Sequence, residues 1–208
     1  MLRQLKRFGN YVTDAEIGKG GFGVVYKAHH LKTGSTVAMK IIDLSKADPF
    51  VPKSIYREVY LLANMKHEHI VRIFEVASSK KYFCIFMQYI DGLTLLEDLQ
   101  VKKRYKEEYA KEIAKQLADV SVYGVGSYEI GESISLLQAL HYLHGKRVIH
   151  RDLKLENVMK LHEEKEKRPH VILIDFGFAV AWYPGCLMHT HCGSPEFAVR
   201  IFKEKLLC

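Results

Sequence analysis

The spacing of apolar residues predicts a strand-rich first part of the chain that contains one helix. Residues 11–42 hold three short apolar runs separated by turn residues, which predicts three antiparallel strands. Residues 54–66 place apolar side chains three or four positions apart, as one face of a helix does. Residues 70–76 and 82–89 predict two more strands. We therefore expect a small five-stranded antiparallel sheet with one helix.

The pattern changes near Asp91, where we place the boundary between two lobes. Residues 94–117 and 133–144 have helical spacing. Between them, residues 118–136 contain β-branched residues and glycines that are out of phase with their neighbours and interrupt what otherwise reads as one helix. The charged run 162–168 lies between two apolar strands and is typical of a solvated loop. The predicted fold class is α+β.

Composition says little about function but excludes some classes of protein. The 208 residues are 48% hydrophobic and carry a formal net charge of +7, which fits a globular protein. The basic residues are not interleaved with stacking aromatics, so the charge indicates solvated surface or a phosphate-bearing ligand and no nucleic acid. The four cysteines lack zinc-ligand spacing, and no stretch reaches the ~18 apolar residues of a membrane helix. We expect a cytoplasmic protein without membrane contact, with nuclear access and oligomeric state left open.

Residues 18–23 form a G-x-G-x-x-G turn between two apolar runs. Glycine lets backbone amides approach a phosphate closely, but the same residues also make ordinary hairpin turns, so the motif alone leaves both interpretations open. A dinucleotide-binding fold would begin a helix at this turn, whereas residues 24–28 continue as a strand. The context therefore favours a glycine flap between two strands.

Lys40 ends an apolar run, and Glu58 lies on the predicted helix. A lysine that emerges from an apolar run is costly to bury unless a partner and an anionic ligand receive its charge. Glu58 is the natural partner. Because such a pair forms only at one position of the helix, it would also act as a switch.

Two further motifs follow in the second part of the chain. Residues 150–157 read His-Arg-Asp-Leu-Lys-Leu-Glu-Asn, and residues 175–177 read Asp-Phe-Gly at the end of an apolar run. Both motifs in this order, with a strand pair between them, are not expected by chance. On these residues, together with the glycine turn, Lys40 and Glu58, the chain resembles the protein kinase family over residues 11–198.

The resemblance implies a bilobal fold that uses ATP and Mg²⁺. Asp152 would accept the proton of the substrate hydroxyl, and Asn157 and Asp175 would hold Mg²⁺. Lys40, fixed by Glu58, would neutralise charge on the phosphates. The implied catalytic residues are Asp152, Lys154, Asn157, Lys40 and Glu58. The implied ATP-binding residues are Ile17, Gly18, Lys19, Gly20, Gly21, Phe22, Gly23, Val25, Ala38, Lys40, Met87 and Tyr89.

The resemblance also indicates a serine/threonine type of kinase. Lys154 resembles the lysine that serine/threonine kinases carry in this motif, and Ser194 lies in what looks like their substrate-facing loop. Residues 192–196 resemble the calmodulin-dependent and AMP-activated kinase-like branch. Thr190 lies where the family is often phosphorylated, and a phosphate there would pair with Arg151.

Two segments depart from the family pattern. Residues 118–136 are an atypical insertion, and residues 199–208 stand where the family continues into further helices. A retained intron or a gene-model error would explain both segments, and a genuine splice form is the alternative. The expected division is an N-terminal extension over 1–10, a kinase N-lobe over 11–90 and an incomplete, mainly helical C-lobe over 91–198.

The sequence therefore predicts a serine/threonine protein kinase that transfers the γ-phosphate of ATP to protein substrates. The alternative is a catalytically impaired, truncated kinase that binds nucleotide or a partner protein, such as a complete kinase, and regulates it. The presence of a complete set of site residues favours the enzyme, namely Lys40, Glu58, Asp152, Asn157 and Asp175. The expected absence of the last helices favours the regulatory module.

Overall fold

The structure is a computed structural model, and the chain forms two compact units. The described residues are 7–20, 23–45, 51–109, 142–162 and 169–183, with the backbone alone for 51–54. The first unit contains Met1–Lys66 and Val71–Ile90, and the second contains His67–Ile70 and Asp91–Cys208. The loop 67–70 therefore groups with the second unit, although the residues on both sides of it belong to the first.

The first unit is one antiparallel sheet with a helix, and its strand order is β1-β2-β3-β4-β6-β5. The elements are β1 (Arg7–Phe8), β2 (Tyr11–Gly20), β3 (Gly23–His30), β4 (Thr36–Asp43), α1 (Val51–Ala63), β5 (Ile73–Ser78) and β6 (Tyr82–Gln88). The five predicted strands are present, and β1 is a sixth that the apolar pattern did not indicate. Gly9, with a φ of 58°, and Asn10 form the turn that pairs Phe8 with Tyr11.

Strand β4 lies inside the sheet and is buried on both faces, because side chains alternate along a strand. One core cluster contains Tyr11, Ala28, Val37, Met39, Ile41, Cys84 and Phe86. The other contains Ile42, Ile55, Phe83 and Ile85, of which Ile55 comes from α1. Lys40 is two residues from Ile42 and so lies on the face that α1 covers.

The second unit contains two small sheets, with strand orders β10-β9-β7 and β11-β8. Its elements are β7 (Gly92–Thr94), α2 (Leu95–Lys102), β8 (Val148–Ile149), a 3-10 turn (Leu155–Asn157), β9 (Val158–Leu161), β10 (Val171–Leu173) and β11 (Val180–Ala181). Strands β9 and β10 are the pair expected on either side of the charged run 162–168. Strand β7 was not predicted. Its pairing with β9 needs Gly92, since a Cβ there would collide with the carbonyl oxygen of Lys160.

Helix α2 is shorter than the predicted helix over 94–117. It begins with a capping box, in which Thr94 Oγ1 accepts a hydrogen bond from Glu97 N (3.2 Å) and the Glu97 carboxylate accepts one from Thr94 N (2.8 Å). It ends at Lys102 because Lys103 has a φ of 63°, a left-handed conformation that ends a helix.

Helical backbone is present again at 107–109 and at 142–145. The atypical segment 118–136 and most of the predicted helix 133–144 lie outside the described residues. Within the part of the chain that is described, no helix has the length and apolar character needed to cross a membrane.

Asp98 attaches α2 to β9. Its carboxylate accepts hydrogen bonds from Lys160 Nζ (2.8 Å) and Tyr105 OH (3.0 Å) and lies 3.1 Å from Lys102 Nζ. Burial acts to raise the pKa of Asp98, but these three donors outweigh it and lower the pKa below its ordinary value. The ion pair between Asp98 and Lys160 therefore joins α2 to β9, the strand that begins directly after Asn157.

The loop 67–70 is attached to β10 through a buried histidine. The carbonyl oxygen of His69 accepts a hydrogen bond from Leu173 N (2.8 Å), and its Nδ1 donates to the carbonyl oxygen of Val171 (2.8 Å). His69 is 4% exposed, and its ring centroid lies 4.7 Å from that of His170. Burial lowers the pKa of His69 and the neighbouring histidines add to this effect, while the hydrogen bond to Val171 opposes it.

Candidate active site

Lys40 and Glu58 form a buried ion pair in the first unit. Lys40 Nζ donates to Glu58 Oε1 at 2.9 Å and to Oε2 at 3.1 Å, and the two side chains are 8% and 4% exposed. Buried charges are stable only when they are paired, so the contact fixes α1 against β4. This is the pair that the sequence predicts.

Three apolar residues lie on the same face of the sheet as Lys40. Val25 of β3 pairs with Lys40, and Ala38 pairs with Met87 of β6. Directly opposed residues of antiparallel strands project from one face, so these side chains form one surface beside the ammonium. An apolar surface next to a cation suits a ligand with a flat apolar part and an anionic part.

The described flap residues lie at the paired ends of β2 and β3. Gly18 pairs with Val25, and Ile17 is 47% exposed. Gly23 has a packing reason to be glycine, because a Cβ there would collide with the carbonyl oxygen of Ile41. This close approach is a reason for glycine in addition to phosphate binding and turn formation, the two that the sequence motif indicates.

In the second unit, Asp152 is held by two donors. Asn157 Nδ2 donates to Asp152 Oδ2 (2.9 Å) and to the Asp152 carbonyl oxygen (2.8 Å), and Lys154 Nζ lies 3.2 Å from Oδ2. Asp152 is 6% exposed. The 3-10 turn Leu155–Asn157 brings Asn157 back to Asp152. The carboxylate is therefore oriented by its own loop.

His150 holds this loop through two hydrogen bonds and a ring contact. Its Nε2 donates to the carbonyl oxygen of Ile174 (3.2 Å), its Nδ1 accepts from Asp152 N (3.4 Å), and its ring lies edge-on to Phe176 at 4.8 Å. Burial lowers the pKa of His150, while the hydrogen bond to Ile174 opposes the shift. A neutral imidazole satisfies both hydrogen bonds, with the proton on Nε2.

Two residues of the motifs have left-handed backbone. Arg151 has a φ of 67° and Asp175 a φ of 58°, which is uncommon for residues other than glycine. Arg151 Nε donates to the carbonyl oxygen of Phe178 (2.7 Å), and Asp175 Oδ1 accepts from Gly177 N (3.1 Å). Strained backbone held by such contacts is frequent at functional sites.

Asn157 and Asp175 lie on segments joined by a hydrogen bond from Ile174 N to the carbonyl oxygen of Asn157 (2.9 Å). The amide nitrogen of Asn157 is used by Asp152, so its amide oxygen is the atom left for a cation. Among the described residues, no group of three His, Cys, Asp or Glu side chains could hold a metal ion. Two oxygen ligands fit Mg²⁺, which takes few protein ligands and completes its shell with water and phosphate.

Glu156 was not assigned a role from the sequence. In the described part of the chain, its Oε2 is the only buried side-chain oxygen or nitrogen without a hydrogen-bond partner. A buried acceptor without a donor costs free energy, so it is a place where a ligand can bind. The sequence motif contains Glu156, but it does not indicate that an oxygen of the Glu156 carboxylate would lack a hydrogen-bond donor.

Several predicted residues cannot be placed. Gly21, Phe22, Thr190 and Ser194 lie outside the described residues. The expected pairing of a phosphate on Thr190 with Arg151 therefore stays a prediction.

Comparison with known proteins agrees with these motifs. The protein kinase domain family matches residues 11–123 and 131–199. The gap at 124–130 falls inside the atypical segment 118–136. A zebrafish (Danio rerio) protein named serine/threonine-protein kinase SIK3 homolog is 31% identical over 202 residues, which cover 97% of this chain. The chain spans only 15% of the length of that relative. Since the family match covers most of its residues, the chain belongs to the protein kinase family.

Proposed function

We propose that the chain transfers the γ-phosphate of ATP to serine or threonine hydroxyls of protein substrates. The observation that carries the proposal is the group of Asp152, Lys154 and Asn157, in which both donors converge on one carboxylate oxygen. The name of the zebrafish relative supports the serine/threonine specificity. A lysine at position 154 supports it as well.

In this proposal, Asp152 receives the hydroxyl proton of the substrate while the hydroxyl oxygen forms a bond to the γ-phosphorus. The bond from that phosphorus to the bridging oxygen breaks, and ADP leaves with the electron pair. Lys154 and Asn157 keep the Asp152 carboxylate oriented for this transfer. Asn157 and Asp175 would hold Mg²⁺, which would supply positive charge next to the phosphates.

Lys40 has the corresponding role in the first unit. Its ammonium is fixed by Glu58 and is directed along the face that carries Val25. An ammonium held in this way attracts the α- and β-phosphates of the nucleotide without having to reorganise. The apolar residues beside it provide the surface for adenine.

We further infer that Glu156 binds a basic side chain of the protein substrate. Its buried Oε2 lacks a donor among the described residues, and it is next to Asn157 in the loop that carries Asp152. A lysine or arginine near the phosphorylated residue would supply the donor and a compensating charge.

The test is phosphate transfer from Mg²⁺-ATP to serine, threonine and tyrosine versions of one peptide, with and without arginines next to the acceptor. We expect transfer to serine and threonine only, loss of turnover in Asp152→Ala, and loss of the preference for arginine in Glu156→Gln. Nucleotide binding without transfer to any peptide would refute the enzymatic function and favour a nucleotide-binding regulatory module. Equal arginine preference in Glu156→Gln and wild type would refute the role of Glu156 alone.

A further inference from the structure

Lys27 lies among residues predicted to bind the nucleotide, although it belongs to none of the sequence motifs. It is two residues from Val25 on β3, on the same face of the sheet, and directly opposite Ala38 on β4. Ala38 is in turn opposite Met87 on β6. The register therefore places Lys27 in the row of side chains that forms the proposed adenine surface.

The ammonium of Lys27 lies 4.6 Å from the ring centroid of Tyr89. Tyr89 follows Gln88, the last residue of β6, so the contact crosses β4 and spans two interstrand spacings, about 10 Å. A lysine stem and a tyrosine ring can bridge this distance only if the residue between them is small, and that residue is Ala38.

The ring of Tyr89 is the interaction partner of the Lys27 ammonium. Within the described residues, Lys27 has no carboxylate at ion-pair distance, and both Lys27 and Tyr89 are partly buried. A cation over an aromatic face is attracted by the negative potential of the ring, and partial burial strengthens the attraction. The contact therefore holds β3 to the segment that follows β6.

We propose that Lys27 and Tyr89 form a brace that positions β3, and with it Val25, over the adenosine part of the nucleotide. The inference rests on the proposed function, since it needs a nucleotide on this face. Lys27 is then a positioning residue. Its contribution is the same for adenosine, ADP and ATP because it acts on the base and not on the phosphates.

The test measures the dissociation constants of adenosine, ADP and Mg²⁺-ATP by competition with a fluorescent adenine nucleotide. Lys27→Met is expected to weaken all three by the same factor, about two- to fivefold for a partly exposed cation–π contact. Tyr89→Leu should have the same effect, and the double variant should lose no more than either single one. Lys27→Arg and Tyr89→Phe keep the cation and the ring and should retain the affinity.

Lys40→Met is the matched control, because it should weaken ADP and ATP binding but leave adenosine binding unchanged. A loss in Lys27→Met that grows from adenosine to ATP would place Lys27 on the phosphates and overturn the brace. Additive losses in the double variant, or unchanged binding in Lys27→Met, would also overturn it. If the wild-type protein bound none of the three ligands, the proposed function itself would fail, and the inference with it.

Discussion

Two buried histidines make the stability of the second unit depend on pH. His69 and His150 are each 4% exposed, and burial lowers the pKa of both below the ordinary value of 6.5. In the unfolded chain both return to that ordinary value. Between pH 6.5 and the folded-state pKa values, the unfolded chain therefore binds more protons than the folded one, and stability falls as the pH falls.

The size of the effect follows from the number of protons. Each histidine contributes a slope of up to about 1.4 kcal/mol per pH unit, so two contribute up to about 2.8 kcal/mol per pH unit below pH 6.5. His67, whose pKa burial also lowers, is less buried and adds less. Asp98 does not interfere, because its lowered pKa means that its contribution is lost only below its ordinary value of 3.8. A change in the free energy of unfolding between pH 6.5 and 5 therefore reports on the protonation of histidines.

The assay is urea unfolding followed by the fluorescence of Trp182, the single tryptophan of the chain, which lies in the same unit as both histidines. We expect the free energy of unfolding to be constant between pH 7.5 and 7 and to fall steeply below 6.5. His69→Asn keeps a side-chain donor for the carbonyl oxygen of Val171 but does not titrate, so it should remove about half of the slope. A flat profile down to pH 5 in the wild-type protein would refute the reasoning.

Three further changes test the packing around the site. Gly92→Ala places a methyl group against the carbonyl oxygen of Lys160 and should destabilise the second unit by about 1–3 kcal/mol in urea unfolding; an unchanged midpoint would contradict the close pairing of β7 with β9. Asp98→Asn removes the charge that pairs with Lys160 and should cost about 3–5 kcal/mol in the same assay; an unchanged free energy of unfolding would contradict a buried pair. Lys40→Met removes the cation next to Glu58 and should speed amide exchange in β4, whereas adding Glu58→Leu should slow it again; equal exchange in both variants would contradict a buried pair.

The elements that the sequence predicted are those in which local pattern and tertiary contacts agree. The three strands around the glycine flap have apolar runs and turn residues, and they form in the expected order. Lys40 and Glu58 could be paired from sequence because burying one charge in an apolar run requires the other nearby. Strand β1 has only two residues, which is too short for alternation to show, so its pairing depends on the turn at Gly9.

The elements that the sequence missed depend on contacts between distant residues. Residues 94–117 have continuous helical spacing, yet α2 ends at Lys102. The Asp98 carboxylate contacts both Lys102 and Tyr105. Its third donor is Lys160 of β9, which lies 62 positions after Asp98 in the chain. No pattern within the helix indicates such a partner. The same holds for β7, whose pairing with β9 is visible only once Gly92 lies against Lys160.

The motif 150–157 shows why recognition of a site and derivation of its geometry are different tasks. Its side chains make contacts that are not local, since His150 donates to Ile174 and Arg151 to Phe178, 24 and 27 positions away. The left-handed backbone at Arg151 and Asp175 costs free energy and is compatible with the fold because these contacts hold it. A sequence motif therefore records which residues the site needs, while the conformation that makes them useful is fixed by the strands β8 to β11 around it.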